Sequence, residues 1–168
     1  LFAGTATQGV FRSDDAGASW VTASDGLAPA DASATSLNVN VLDMVSTDGA
    51  LVVSVAGQGL FASEDTGETW ARYDHGVPNR YANVLHRVGD SLLAGTYGTG
   101  VYRRVAGAST WTHASDGIRD TSVFALASDG AHLYMGGSGG VFVSSNGGDE
   151  WLPSNAGFST LNLRGLSV

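Results

Sequence analysis

Asp74, His75, Asn79, Arg80 and Tyr81 fall within the single stretch DHGVPNRYANV. Arg beside Tyr is the composition of protein interface hot spots and of sugar-binding rims, because a planar guanidinium and an amphipathic ring both bind without losing much freedom. Tyr97 and Arg119, in comparable later segments, extend the same candidate binding set. Asp43 and His86 lie in apolar strand-like runs and could form an acid–base pair, but no nucleophile accompanies them. A structural or channel-water role is expected for both, and no catalytic residue is assigned. Glycoside hydrolysis needs two carboxyl groups about 5 to 9.5 Å apart. Acids outside turn-like contexts reduce mainly to Asp31, Asp43 and Asp120, which spacing does not pair. His75, His86, His113 and His132 share no metal-ligand spacing, so no metal site is predicted. The Gly-rich segments TATQG, AGQG, TYGTG and GSGG join strand to strand rather than strand to helix, so they are not phosphate cradles, and no cofactor is expected.

The elements that must position these residues follow from composition. The chain has 168 residues, 43% hydrophobic and only 14% charged, with 24 Gly, which suits many short strands with tight turns. One domain is the expected size. Its eight basic residues are all Arg and its net charge is -8, so a phosphate backbone would be repelled and nucleic acid is not an expected partner. Without Cys there is no disulfide frame and no thiolate chemistry. No apolar run approaches a membrane span, and the chain, which starts without Met or a signal peptide, reads as processed or excised.

A repeat organises the whole chain. LFAGTATQGVFRSDDAGASW, LVVSVAGQGLFASEDTGETW, LLAGTYGTGVYRRVAGASTW and LYMGGSGGVFVSSNGGDEW align, with Gly9, Gly59, Gly100 and Gly140 each preceding Trp20, Trp70, Trp111 and Trp151 by the same interval. The Trp residues are 50, 41 and 40 positions apart, the size of a four-stranded propeller blade. Each unit offers an inner strand A (VFALAS), then B (HLYMGG), C (GVFVSS) and D (EWLPS), with Asp-Gly, Gly-Gly and Asn-Gly turns. Strands A and B are apolar at nearly every position, as in blades covered on both faces. Asp43, His86, Ala125 and Gly165 fall at equivalent places on strand A in this alignment.

The fold class is therefore all-β: a propeller of four blades with four antiparallel strands each, as a closed ring or as part of a larger one. The predicted division is residues 1–24 plus 158–168 for blade 1, 38–75 for blade 2, 81–116 for blade 3 and 121–156 for blade 4. In this scheme LNLRGLSV closes the blade begun by LFAGT. A dimer or larger assembly that completes the ring is an alternative.

The motif Ser-x-Asp-x-Gly-x-x-Trp resembles the Asp-box, and the four units resemble the BNR/Asp-box repeats of β-propellers such as sialidases, xyloglucanases, sortilin-like receptors and photosystem assembly factors. Ser13, Asp15, Gly17 and Trp20 match it, as do Ser63, Asp65, Gly67 and Trp70. Ser144, Gly148 and Trp151 match with Asn146 in place of Asp, whereas the third unit has Arg104, Ala106 and Ala108 and retains only Trp111. The short acid accepts hydrogen bonds from its own turn, Gly supplies a positive φ, and the Trp is expected to bury its ring beneath the turn. The resemblance implies a structural staple facing away from the binding face.

That face is expected where the B–C and D–A loops gather, including the long loop DGLAPADASATSLN. The resemblance does not extend to a sialidase site: the Phe/Tyr-Arg-Ile-Pro stretch is absent, and Arg12 sits beside the first acidic turn. The resulting expectation is a non-catalytic, extracytoplasmic propeller that binds or scaffolds a protein or glycan. Two alternatives stand beside it: a portion of a secreted glycoside hydrolase, and an accessory subunit on a membrane photosynthetic complex. The acidic charge speaks against the latter.

Overall fold

The structure is a computed structural model that describes residues 1–27, 38–47, 49–78, 81–118 and 122–168. Among them there is no helix, and fifteen strands form four antiparallel sheets. The first sheet has three strands, β1 (Phe2–Gly4), β2 (Val10–Arg12) and β3 (Val21–Thr22). The second runs β4 (Val41–Ser46), β5 (Leu51–Val55), β6 (Gly59–Ser63) and β7 (Ala71–Arg72) in spatial order. The third holds β8 (Ala82–Val88), β9 (Ser91–Thr96), β10 (Val101–Val105) and β11 (Thr112–His113). The fourth holds β12 (Val123–Ser128), β13 (Leu133–Gly137), β14 (Gly140–Ser144) and β15 (Leu152–Pro153). Every neighbour in a sheet is also its neighbour in sequence, so each sheet is a meander. Strand β1 meets β4, β4 meets β8 and β8 meets β12, the radial order of propeller blades.

The core is divided among three seams between blades. Val10, Leu27, Val53, Val55, Phe61 and Trp70 fill the first seam. Val52, Leu60, Leu85, Leu92, Tyr102 and Trp111 fill the second, and Leu93, Val101, Val123, Met135, Phe142 and Trp151 the third. Both faces of β5 and β9 are therefore covered, which is why these strands read as continuous apolar runs instead of alternating.

The tryptophans do more than lie beneath their own turns. Trp70 Nε1 donates to Ala23 O at 2.8 Å, Trp111 Nε1 to Tyr73 O at 2.6 Å and Trp151 Nε1 to Ala114 O at 2.9 Å. Their backbone N–H groups donate to Asp25, His75 and Asp116 carbonyls at 2.8–2.9 Å. Each indole thus bridges to the preceding blade. Gly26, Gly76 and Gly117 allow the approach, because a Cβ at any of them would collide with the carbonyl of the incoming Trp.

The repeated Gly before each C strand has a separate cause. A Cβ at Gly9, Gly59, Gly100 or Gly140 would strike the side chain of Ser24, Asp74, Ser115 or Asn155. Three of those side chains accept the next N–H: Val10 to Ser24 Oγ at 2.9 Å, Val101 to Ser115 Oγ at 2.7 Å and Val141 to Asn155 Oδ1 at 2.7 Å. The Gly makes room for a polar group that ties strand D to strand C.

Two expectations change. Pairing shifts register between Val41 and Asp43, between Ala82 and Val84, and between Val123 and Ala125. With these bulges counted, Asp43 corresponds to Val84 and Ala125, and His86 lies two residues further along, opposite Leu93. The second difference concerns residues 158–168, which form no strand with β1. They stay on the fourth blade, where Leu163 N–H donates to Gly137 O at 3.0 Å, and the β1 sheet has three strands.

Candidate binding face

The acidic turns lie at one end of the blades and are self-contained. Asp15 Oδ1 accepts from Ser13 Oγ and from Ser19 N, each at 2.8 Å, and Gly17 N donates to Ser13 Oγ at 2.8 Å. Asp65 repeats the pattern with Ser63 Oγ at 2.7 Å and Thr69 N at 2.9 Å, and Asn146 does so with Ser144 Oγ at 2.9 Å and Glu150 N at 3.0 Å. Hydrogen bonds from the residue-19 and residue-69 hydroxyls, foremost, hold Asp15 and Asp65 at about 2, well below the ordinary carboxylate value. In the third blade Arg104 instead lays its guanidinium 3.7 Å from the centre of the Tyr73 ring of the preceding blade. Ala106 N donates to Asp90 O at 2.8 Å, extending the ladder between β9 and β10, and Ala108 N donates to Val105 O at 3.0 Å within the turn. A cleft of about 420 Å³ lies beside this turn, lined in part by Glu64, Tyr73, Arg87, Asp90 and Arg104.

The opposite end carries the B–C and D–A loops. Tyr97 N–H donates to Tyr81 O at 2.8 Å, so these two residues from different loops are brought side by side. Their side chains are 52% (Tyr81) and 60% (Tyr97) exposed, while the Tyr81 hydroxyl leans over Gly57 of the preceding blade. The Tyr97 ring lies 6.4 Å from that of Phe124, and the Arg164 guanidinium sits 4.4 Å over Phe124. Tyr81, Tyr97, Phe124 and Arg164 therefore form a row across neighbouring blades.

Bulges create part of this row. Leu42, Asn83 and Phe124 are the unpaired residues at the three register shifts, and a bulge re-aims the side chain it carries. Leu42 is exposed, Asn83 Nδ2 donates to Val123 O at 3.0 Å, and Phe124 faces Tyr97. Sequence reasoning missed Phe124 and Arg164. The available signal was an aromatic residue near the start of strand A, where the other units have Leu42 and Asn83.

The remaining candidates separate. His75 is exposed, and its carbonyl accepts the Trp111 N–H. Asn79, Arg80 and Arg119 lie outside the described residues, as do Asp31, Asp120 and most of the long first D–A loop. Asp43 and His86 form no acid–base pair. Asp43 Oδ2 accepts from Leu85 N at 2.7 Å and Oδ1 from Met44 N at 2.8 Å, and His86 Nε2 pairs with Ser128 Oγ at 2.9 Å. Each ties its own inner strand to the next blade. Burial lowers the His86 pKa, and the Asp43 charge opposes that shift. Among the described residues no three His, Asp or Glu side chains are grouped to hold a metal, and no helix is long and apolar enough to cross a membrane.

No known protein family matches this sequence, and no curated protein does either. Solved structures do. The GH74 xyloglucanase from Xanthomonas campestris superposes over 95% of the chain with a TM-score of 0.69 and 18% identity. The extracellular domain BT3049 of a hybrid two component system from B. thetaiotaomicron covers 92% with a TM-score of 0.69 and 13% identity. The computationally designed Ika4 protein covers 77% of this chain and 80% of its own, with a TM-score of 0.62 and 13% identity. The chain spans 29% of the xyloglucanase and 21% of the sensor domain protein. At these identities the likeness establishes fold: the chain is a β-propeller.

Proposed function

We propose that this propeller is a non-catalytic, extracytoplasmic module that binds a glycan across its B–C/D–A face. The carrying observation is the exposed pair Tyr81 and Tyr97, with the half-buried Phe124 beside Tyr97 beneath the Arg164 guanidinium. A pyranose ring presents an apolar C–H face that stacks on a tyrosine, while its equatorial hydroxyls reach outward to polar neighbours. His75, exposed in the D–A loop that leads to Tyr81, is a candidate polar neighbour. Extracellular sensor domains among the similar structures support the setting.

Affinity electrophoresis and calorimetry against a polysaccharide panel that includes xyloglucan test this reading. Binding weakened about tenfold or more by Tyr97→Ala is the expected result, the loss usual for an exposed aromatic anchor. No retention on any glycan, or retention indifferent to Tyr81→Ala and Tyr97→Ala, overturns it. A second reading, favoured by the 95% superposition on a xyloglucanase, is that the chain forms a portion of a glycoside hydrolase. Release of reducing ends from xyloglucan would select it.

A further inference from the structure

Three departures from the repeat meet in the seam between the second and third blades. The residue that follows strand D and donates back to strand C is Ala23, Tyr73, Ala114 or Ser154, each bonded to the equivalent carbonyl at 2.8–2.9 Å. Only the second blade has a ring there. The residue that opens the C–D turn is Ser13, Ser63, Arg104 or Ser144, so only the third blade has a cation there. These two residues touch, with the Arg104 guanidinium 3.7 Å from the centre of the Tyr73 ring. The third departure leaves the space beside them unclasped. Arg12 donates to Thr66 O of the next blade at 3.3 Å and approaches Glu68 at 4.0 Å, and Arg103 reaches Gly147 O and Asp149 in the same way, each at 2.7 Å. Pairing of Arg12 with Val21, Ala62 with Ala71 and Arg103 with Thr112 shows that the second blade has Ala62 at this place, too short to cross the seam. The cleft of about 420 Å³ opens here, lined in part by Glu64, Arg87, Asp90, Arg104 and Val105, with a volume usual for small-molecule sites.

The cation in this cleft is held ready for an acceptor. A guanidinium carbon 3.7 Å from a ring centre is at van der Waals contact, so the two planes lie face to face and the N–H groups point outward along their own plane. Tyr73 is itself fixed: its ring meets Trp111 edge-on with centroids 6.1 Å apart, and its carbonyl accepts the Trp111 indole N–H. Arg12, Arg72 and Arg103 each pair with a carboxylate, whereas among the described residues Arg104 meets neither a carboxylate nor any other hydrogen-bond acceptor. A fixed planar fork of donors with no acceptor suits a carboxylate bound through two parallel hydrogen bonds.

The other lining groups select what carries that carboxylate. Ionised Glu64 and Asp90 only accept hydrogen bonds, so they take hydroxyl donors and repel a second negative charge. Val105, 51% exposed, offers apolar contact. We propose that this cleft binds a sugar acid, free or as a residue of an acidic glycan, with its carboxylate on the Arg104 fork and its hydroxyls donating to Glu64 and Asp90. A phosphate group, which carries up to two negative charges, is disfavoured by the same two acids. The cleft lies at the acidic-turn end of the blades, opposite Tyr81 and Tyr97, and stands independently of any glycan bound there.

Titration of the protein with galacturonate, followed by the Arg Nε–H signals in two-dimensional NMR, tests the proposal. Saturable binding that shifts one Arg signal, the one missing from Arg104→Lys, is the expected result, and methyl galactoside at equal concentration should shift none. Arg104→Gln is expected to weaken binding about tenfold or more, as for loss of a charge-assisted pair. Arg104→Lys keeps the charge without the fork and should lose less. Circular dichroism and a cooperative melt like those of the wild type show that each variant folds. Trigalacturonate that binds more tightly than the monomer identifies an acidic glycan as the source, and equal affinity identifies the free acid; both support the site. No saturation by about 10 mM overturns the proposal. So does methyl galactoside bound as well as galacturonate, inorganic phosphate bound more tightly than galacturonate, or binding indifferent to Arg104→Gln. Galacturonate binding lost in Tyr97→Ala and kept in Arg104→Gln belongs to the opposite face and overturns this proposal alone, whereas polysaccharide retention that needs Tyr97 survives its failure.

Discussion

The second and third blades make the same joint with different turns. In the second, Ser63, Asp65 and Thr69 knit the reversal with side chains, whereas in the third Ala106 N–H extends the ladder to Asp90 O, Ala108 N–H closes the reversal on Val105 O, and Arg104 moves out over Tyr73. Trp70 and Trp111 are nevertheless buried alike, at 5% and 3%, and both donate to the preceding blade. The acid is therefore one way to shape the turn, and the Trp bridge is what the shaped turn delivers.

The largest effect should come from removing that bridge. Trp70→Ala and Trp111→Ala are each expected to cost about 3–5 kcal/mol, lowering Tm by roughly 10 °C, because a large ring leaves a seam and a buried carbonyl loses its donor. Thermal denaturation checks this, and a third-blade variant much milder than the second-blade one would break the comparison. Trp20→Ala should lower Tm by clearly less, because Trp20 is 42% exposed.

Asp65→Ala comes next, with a smaller fall in Tm than Trp70→Ala, while Ala106→Asp should change Tm little because the third turn already closes without an acid. An equal fall for Asp65→Ala and Trp70→Ala would make the acid the dominant element. Acid titration sharpens the point. Asp15 and Asp65 have folded values near 2, below the ordinary 3.8, so their contribution is fully present above 3.8 and is lost as pH falls toward 2. A variant lacking both carboxylates should show a shallower decline in stability across that window.

His86 predicts a different window. Its folded pKa is below 6.5, so the neutral form is favoured, and its contribution is present above 6.5 and lost as pH falls below that value. The Tm of the wild type should decline between neutral pH and pH 5, and His86→Gln should flatten the decline. The smallest effect belongs to Thr66, which holds φ at 59° inside the second turn where the fourth blade has Gly147. Thr66→Gly should be neutral or slightly stabilising by Tm, since the relief of a left-handed backbone opposes the added chain entropy of Gly.

Of the candidate face, Tyr81 and Tyr97 were legible because each sits in a polar loop between apolar runs. Phe124 and Arg164 were not. Phe124 read as one more apolar residue of strand A, and only a bulge, which leaves no mark in an apolar run, turns it toward Tyr97. The equivalence of Asp43 with His86 failed for another reason: all three inner strands carry the same bulge, and Asp43, Val84 and Ala125 stand at the same distance before Leu51, Leu92 and Leu133, so matching the two apolar runs by their similar residues placed His86 two positions off.

By itself the sequence determined the four-unit repeat, the all-β class and the places of the turns, since Gly spacing, a short acid and a following Trp are governed by hydrogen bonds within a few residues. Tertiary structure decided where each Trp spends its indole, because the accepting carbonyl lies 47, 38 or 37 residues away on another blade. It also decided where residues 158–168 rest, against the fourth blade at Gly136, Gly137 and Phe124 instead of along β1. Contacts across a seam depend on which blade arrives beside which, and no local periodicity encodes that.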